Sequence, residues 1–234
     1  MSIILETKDI QKKYFNKTAL KGISLKLESG RILGLAGPNG SGKTSFLKIL
    51  AGLQQPSGGS FSVAGKPNGN ETKKVVSFLP DRNTLYPWMK AIDAIDFFAD
   101  FFEDFDRNKA LDMLSFMKLE KTEPVKGMSK GMTEKLNLVL AFSRQASLFL
   151  LDEPLGGIDP VARERIVSTI IKTWTEDSAI IISTHLLTDV EQLFNDVAFI
   201  DLGELILMDD AETLRSKQGK SITQLYIDTF GNRE

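Results

Sequence analysis

Cysteine is absent from this 234-residue chain, which excludes disulfides and thiol catalysis and suits a reducing compartment. An excess of either charge is also missing. The 29 Lys and Arg against 31 Asp and Glu leave a formal net charge of −2, so no electrostatic footprint for nucleic acid is visible. No uncharged apolar stretch approaches the roughly 18 residues needed to cross a bilayer. Met1-Ser2-Ile3-Ile4-Leu5-Glu6 has neither a basic start nor a long apolar core, so no signal peptide is expected. Internal repeats and low-complexity tracts are lacking, and histidine occurs once, at His185. What remains is enough length for one substantial α/β core.

The octapeptide Gly37-Pro38-Asn39-Gly40-Ser41-Gly42-Lys43-Thr44 fits the spacing G-x-x-x-x-G-K-[ST]. It follows the apolar run Ile32–Ala36 and precedes a helix-like stretch, Ser45–Leu50, making strand, loop, helix. Glycines let successive backbone N–H groups turn inward around a phosphate chain. The helix N-terminus adds partial positive charge at the same point. Lys43 is placed to reach the β- and γ-phosphates, and the Thr44 hydroxyl to bind Mg²⁺.

Downstream, Leu148-Phe149-Leu150-Leu151 ends in Asp152-Glu153. Such a run reads as a parallel strand buried on both faces, with its acids at the end where ligands bind in α/β sheets. Asp152 would hold the Mg²⁺ shell, and Glu153 would polarise an attacking water. Met128-Ser129-Lys130-Gly131-Met132 precedes a helical pattern from Glu134 through Arg144, where Ser129 alone would read as an N-cap. Ser183-Thr184-His185 closes the strand-like run Ala179–Ile182.

Between these motifs, residues 2–30 alternate as strands, with Ile23, Leu25 and Leu27 on one face. Residues 55–70 read as turns around a short strand at Ser60–Val63, and residues 82–145 as mostly helical. From 147 to 210 strands alternate with helices near 160–175 and 186–193, which implies a parallel sheet with crossovers. Residues 216–234 are expected to be a short helix or a frayed tail.

Tyr14, the P-loop, Met128–Met132, Asp152-Glu153, Gly157-Ile158-Asp159 and His185 appear in the order of motifs of the ATP-binding cassette (ABC) ATPases. The resemblance covers residues 3–215. It implies an α/β P-loop NTPase fold with a RecA-like parallel core (31–54, 71–81, 146–215), an antiparallel β lobe (1–30, 55–70) and an inserted helical lobe (82–145), all in one ATPase domain. By the same resemblance Tyr14 stacks on adenine, and Asn39, Gly40, Ser41, Gly42, Lys43, Thr44 and Ser45 hold ATP and Mg²⁺. Ser129 and Gly131 touch the γ-phosphate of ATP on another subunit, and Asp159 crosses the dimer interface. Asp152 is the metal-site acid, Glu153 the base and His185 the γ-phosphate switch.

Three positions depart from the family pattern. Asp81 stands where a Gln is usual; a carboxylate can still serve the metal but adds negative charge beside ATP. Lys130 and Met132 replace a Gly and a Gln of the signature motif, and Lys130 is expected to point to solvent, with a positive charge directed toward ATP as the alternative. Signatures of the Ser-Lys-Gly-Met kind resemble those of Gram-positive multidrug, antibiotic-resistance and peptide exporters. The expected partners are therefore a separate transmembrane permease and a second ATPase copy, identical or paralogous, at the cytoplasmic face of the membrane. Importers, and ABC ATPases of DNA repair or translation, are the alternatives. Phe97, Phe98, Phe101, Phe102 and Phe105 recur on one helical face, expected to pack on a helix at Ala110–Met117 or in part to line a groove for the permease, with Tyr86 and Trp88 beside it.

Overall fold

Two sheets share the chain, and the computed structural model describes residues 2–231 of it. β1 (Ile3–Tyr14) and β2 (Lys17–Glu28) pair antiparallel. Ile23, Leu25 and Leu27 alternate with exposed Ser24, Lys26 and Glu28, so a period of two buries one face. β3 (Ile32–Ala36) enters the P-loop, and α1 (Lys43–Leu50) leaves it. β4 (Gly58–Val63) and β5 (Lys66–Pro67) complete a four-stranded antiparallel sheet in the order β2-β1-β4-β5.

After α2 (Asn70–Lys74) and β6 (Val76–Leu79) come three helices: α3 (Ala91–Phe101), α4 (Arg107–Phe116) and α5 (Lys130–Phe142). The chain then alternates through β7 (Leu148–Asp152), α6 (Pro160–Thr173), β8 (Ala179–Thr184), β9 (Asp196–Asp201) and β10 (Glu204–Asp210). It closes with α7 (Ala211–Gln218) and α8 (Ile222–Phe230). The six-stranded sheet runs β10-β9-β3-β8-β7-β6, parallel except for β10. Every residue of β3, β7 and β8 is buried, which is why these strands read as unbroken apolar runs. Their C-terminal ends bring the P-loop, Asp152 and Thr184 to one edge: Ala36 pairs with Thr184, and Asp152 with Ser183.

Buried Arg144 joins the helical segment to this sheet. Its Nε donates to Asp104 at 2.7 Å, Nη2 donates to the Lys74 carbonyl at 3.0 Å, and the guanidinium lies 3.9 Å from the centre of the Phe102 ring.

Three sequence expectations are corrected. α5 starts at Lys130 rather than Glu134, because Ser129 Oγ accepts from Met132 N and caps it. The helix expected at 186–193 is two single 3₁₀ turns, 187–189 and 191–193, separated by Val190 at φ −134° and ψ −7°, outside the helical region. Burial of both Leu187 and Val190 suits the three-residue period of such turns. Of the two expectations for the tail the short helix holds: it contains α8, whose Tyr226 and Phe230 pack on Phe199 of β9, and residues 232–234 lie outside those described. Finally, the phenylalanine face is divided. α3 ends at Phe101; Phe98 and Phe105 pack toward the core, whereas Phe97 and Phe101 stack on each other in solvent.

Candidate functional site

A cleft of about 310 Å³ opens at the P-loop, lined by Tyr14, Asn39, Gly40, Ser41, Gly42, Lys43, Thr44, Ser45, Asp81 and Glu153, with Lys17 and Ala19 from the β1–β2 hairpin. Gly42 explains the loop's shape. Its φ of +116° is closed to ordinary side chains, and a Cβ there would meet the Ala19 carbonyl and Leu20. Lys43 is buried and donates to the carbonyls of Gly37 at 2.7 Å and Pro38 at 3.2 Å. Its Nζ lies 4.0 Å from Glu153 Oε1. Burial lowers the Lys43 pKa, and the charges of Glu153 and Asp152 oppose that shift.

Asp152 is fully buried. Its Oδ1 accepts from Thr44 Oγ1 at 3.2 Å and from Ser183 Oγ at 2.5 Å. Burial raises its pKa, the two hydroxyl hydrogen bonds oppose this, and the charges of Asp81 and Glu153 add to the rise. Glu153 adopts a φ of +51°, a strained value for a non-glycine residue that turns the chain sharply after β7. Its backbone N–H is held by Ser183 and its carboxylate meets His185: Nδ1 donates to Oε2 at 2.8 Å. Ser183 was not singled out from sequence. The signal was its register, directly across from Asp152 on the neighbouring strand.

Two buried polar atoms at this edge, Ser41 Oγ and Asp152 Oδ2, make no hydrogen bond among the described residues. A hydroxyl and a carboxylate oxygen flanking Lys43 and Thr44 match a polyphosphate with a hard divalent cation, so these residues fit ATP and Mg²⁺. Tyr14 stands at the cleft mouth, its hydroxyl bonded to the Gln54 side chain and its ring 5.0 Å from the Lys12 ammonium.

Ser129, Gly131 and Asp159 lie elsewhere, outside the lining of the cleft. Asp159 Oδ1 accepts from Ala162 N at 2.9 Å and caps α6. A Cβ on Gly131 would sit 3.6 Å from Asp159 Oδ2, so the signature and the loop of Asp159 are neighbours in one chain. Lys130 is exposed, as expected. Its ammonium packs on Gly157, where a Cβ would come within 2.6 Å of Nζ and the φ of +68° already demands glycine. Glu134, also missed from sequence, is buried on α5; burial and the charge of Asp81 push its carboxyl up to about 7, with Lys130 opposing.

Fold and cleft together define a P-loop nucleotide-binding protein. A family model described as ABC transporter matches residues 20–156, more than half of the chain. The chain belongs to the ABC transporter family, among its ATP-binding proteins. It is similar to an uncharacterised ABC transporter ATP-binding protein of Synechocystis sp. (31% identity, covering 87% of this chain and 60% of that protein). Linearmycin resistance ATP-binding protein LnrL of Bacillus subtilis is 30% identical over 96% of this chain and 75% of its own length. Nod factor export ATP-binding protein I of Cupriavidus pinatubonensis is 29% identical over 97% and 73%. The chain thus spans between 60% and 75% of the length of these three relatives. In structure it superposes on the ATP-binding subunit of an ABC transporter with a TM-score of 0.87 at 24% identity, covering 96% of this chain and 98% of the other.

Proposed function

We propose that this chain hydrolyses ATP to ADP and phosphate as the nucleotide-binding subunit of an exporter, dimerising on ATP beneath a separate membrane subunit. The observation that carries the chemistry is the grouping of Lys43, Glu153 and His185 at the P-loop edge. Lys43 would exchange its bonds to the P-loop carbonyls for phosphate oxygens. Glu153 Oε2, oriented by His185, would accept a proton from the attacking water. A Mg²⁺ ion held by Thr44 and Asp152, with Asp81 as a further ligand, would neutralise phosphate charge. Tyr14 would stack on adenine at the mouth of the cleft.

Ser129 and Gly131 stand apart from this cleft, which favours their service to ATP on a second copy turned head to tail, with Asp159 beside them at that interface. The three-part division at residues 1–30 with 55–70, the core segments, and 82–145 forms part of the same reading. Export of a drug, antibiotic or amphipathic peptide is supported by the Ser129–Met132 signature and by the printed names of the linearmycin-resistance and Nod-factor-export relatives. Because no described helix is long and apolar enough to cross a membrane, the permease would be another chain and this one peripheral to the membrane.

The permease would dock beside α3. An apolar groove of about 340 Å³ lies there, lined by Leu79, Leu85, Phe98, Phe102 and Leu140, and the stacked Tyr86 and Trp88 stand nearby in solvent. Glu153→Gln tests the chemistry: ATP should still bind, phosphate release should fall by about 10²–10⁴-fold, and an ATP-bound dimer should accumulate on gel filtration. Turnover at the wild-type rate would remove Glu153 from its role.

A further inference from the structure

We propose that Glu191 is a positioning residue that ties the loop carrying His185 to the C-terminal helix α8 and so holds His185 against Glu153. The proposal rests on the reading that Glu153 and His185 act on ATP.

The loop after β8 has little structure of its own, only two 3₁₀ turns in place of a helix. Such turns have poorer hydrogen-bond geometry than an α-helix and are set by what they pack against. Here both ends of one residue are gripped from outside. Glu191 Oε2 accepts from the backbone N–H and from the hydroxyl of Thr223, each at 2.7 Å, in the first turn of α8. The Glu191 carbonyl accepts from Arg215 Nη2 of α7 at 2.6 Å. A carboxylate at a helix N-terminus meets unpaired N–H groups and the positive end of the helix dipole, so the bond to Thr223 is charge-assisted.

Packing continues the tie. Leu187 and Val190 of the loop are buried in the same apolar cluster as Ile222 and Phe230 of α8. Tyr226, between those two, sets its ring at 90° to Phe199, and α8 lies against the 187–189 turn. Burial raises the Tyr226 pKa, and the negative charge of Glu153 raises it further, which places α8 within electrostatic reach of the catalytic carboxylate. At the near end of the loop, the His185 backbone N–H and ring both point to Glu153 Oε2. His185 therefore stands between a fixed carboxylate on one side and a loop anchored on α8 on the other. A loop loosened at Glu191 would let the imidazole drift, and misplacement by about 1 Å can cost as much as 10²-fold in rate.

The test uses the full chain with Glu191→Ala, Thr223→Val, the double variant, and Glu191→Gln, whose amide oxygen can still accept from Thr223. Steady-state ATPase gives kcat and KM, and ¹⁵N-histidine NMR reads the ring of the single histidine. We expect Glu191→Ala to lower kcat about tenfold with KM for ATP unchanged, and the His185 ring resonances to move. Glu191→Gln should recover most of both. Thr223→Val should reproduce part of the loss, and the double variant should add nothing beyond Glu191→Ala. A folded Glu191→Ala or Thr223→Val protein with wild-type kcat and unmoved His185 resonances overturns the proposal, as does a loss of kcat with those resonances unmoved. If Glu191→Ala does not fold, Thr223→Val and Glu191→Gln decide alone. Glu153→Gln run alongside separates the two readings: full turnover there sinks the catalytic assignment itself, whereas a silent Glu191 beside an inactive Glu153→Gln sinks only this proposal.

Discussion

His185 Nδ1 donates to Glu153 Oε2 across 2.8 Å, joining the one histidine of the chain to the carboxylate that follows β7. The contact orients a carboxylate already committed to one direction by its φ of +51°. His185→Ala should leave ATP affinity nearly intact and lower kcat by about 10²-fold or more. Phosphate-release kinetics beside nucleotide titration separate the two quantities. Equal loss in both would mean that His185 only binds.

Lys43→Ala should abolish tight ATP binding by removing a buried cation from the polyphosphate cradle. Tyr14→Ala should weaken binding by about 1–2 kcal/mol. The neighbouring Phe15 is fully exposed at a φ of +46° and serves as the internal comparison. Isothermal titration of both alanine variants decides the matter: if Phe15→Ala costs affinity and Tyr14→Ala does not, the stacking ring is Phe15.

The separation of Ser129 from the P-loop cleft leads to a mixed-dimer experiment. A Lys43→Ala subunit combined with a Ser129→Arg subunit places both lesions in one composite site and leaves the other whole. Such mixtures should regain ATPase activity that neither variant shows alone. Absence of recovery in demonstrated mixed dimers counts against service in trans or against the sufficiency of one intact site.

Trp88 is 70% exposed, so the alternative that it belongs to the core is set aside. Trp88→Ala should leave the melting temperature of the isolated chain and its basal ATPase unchanged. If it anchors the permease, co-purification should weaken by about 2 kcal/mol. Undiminished co-purification would move the docking surface elsewhere.

Glu134 supplies a pH dependence. Its carboxyl titrates at about 7 in the folded chain against 4.5 ordinarily. Between those values the unfolded chain has released this proton and the folded chain retains it. The associated stability is therefore fully present below pH 4.5 and lost as pH rises to about 7. Glu134→Gln should be more stable than wild type at about pH 8, by an amount on the order of 3 kcal/mol, with the gain shrinking toward acid. Chemical denaturation at both pH values checks this, and a gain independent of pH would assign it to packing instead.

The strands that meet at the nucleotide edge were legible because burial on both faces leaves an uninterrupted apolar run, as in Leu148–Leu151 and Ala179–Ile182. The P-loop was legible because its spacing is tied to backbone geometry. The loop after His185 was not, since Leu187 and Val190 fit helical and 3₁₀ periods alike, and only the non-helical backbone of Val190 separates them. The contact of Lys130 with Gly157 was not legible, because the two are distant in sequence and brought close by α5 and α6. Glu191 and Ser183 escaped for the same reason: their partners, Thr223 and Asp152, lie 32 and 31 residues away.

β3 lies between β8 and β9, pairing Leu33 with Ile181 and with Asp196. On a ribosome, the strand that launches the P-loop therefore emerges long before either neighbour exists. Its five buried residues must remain without a sheet until residue 179 and beyond have been synthesised, while the β1–β2 hairpin can already close. The phosphate-loop segment is thus among the last to acquire its native setting. A nascent chain halted before β8 would carry a complete phosphate-loop sequence with no scaffold to shape it, exposing apolar surface that invites chaperones.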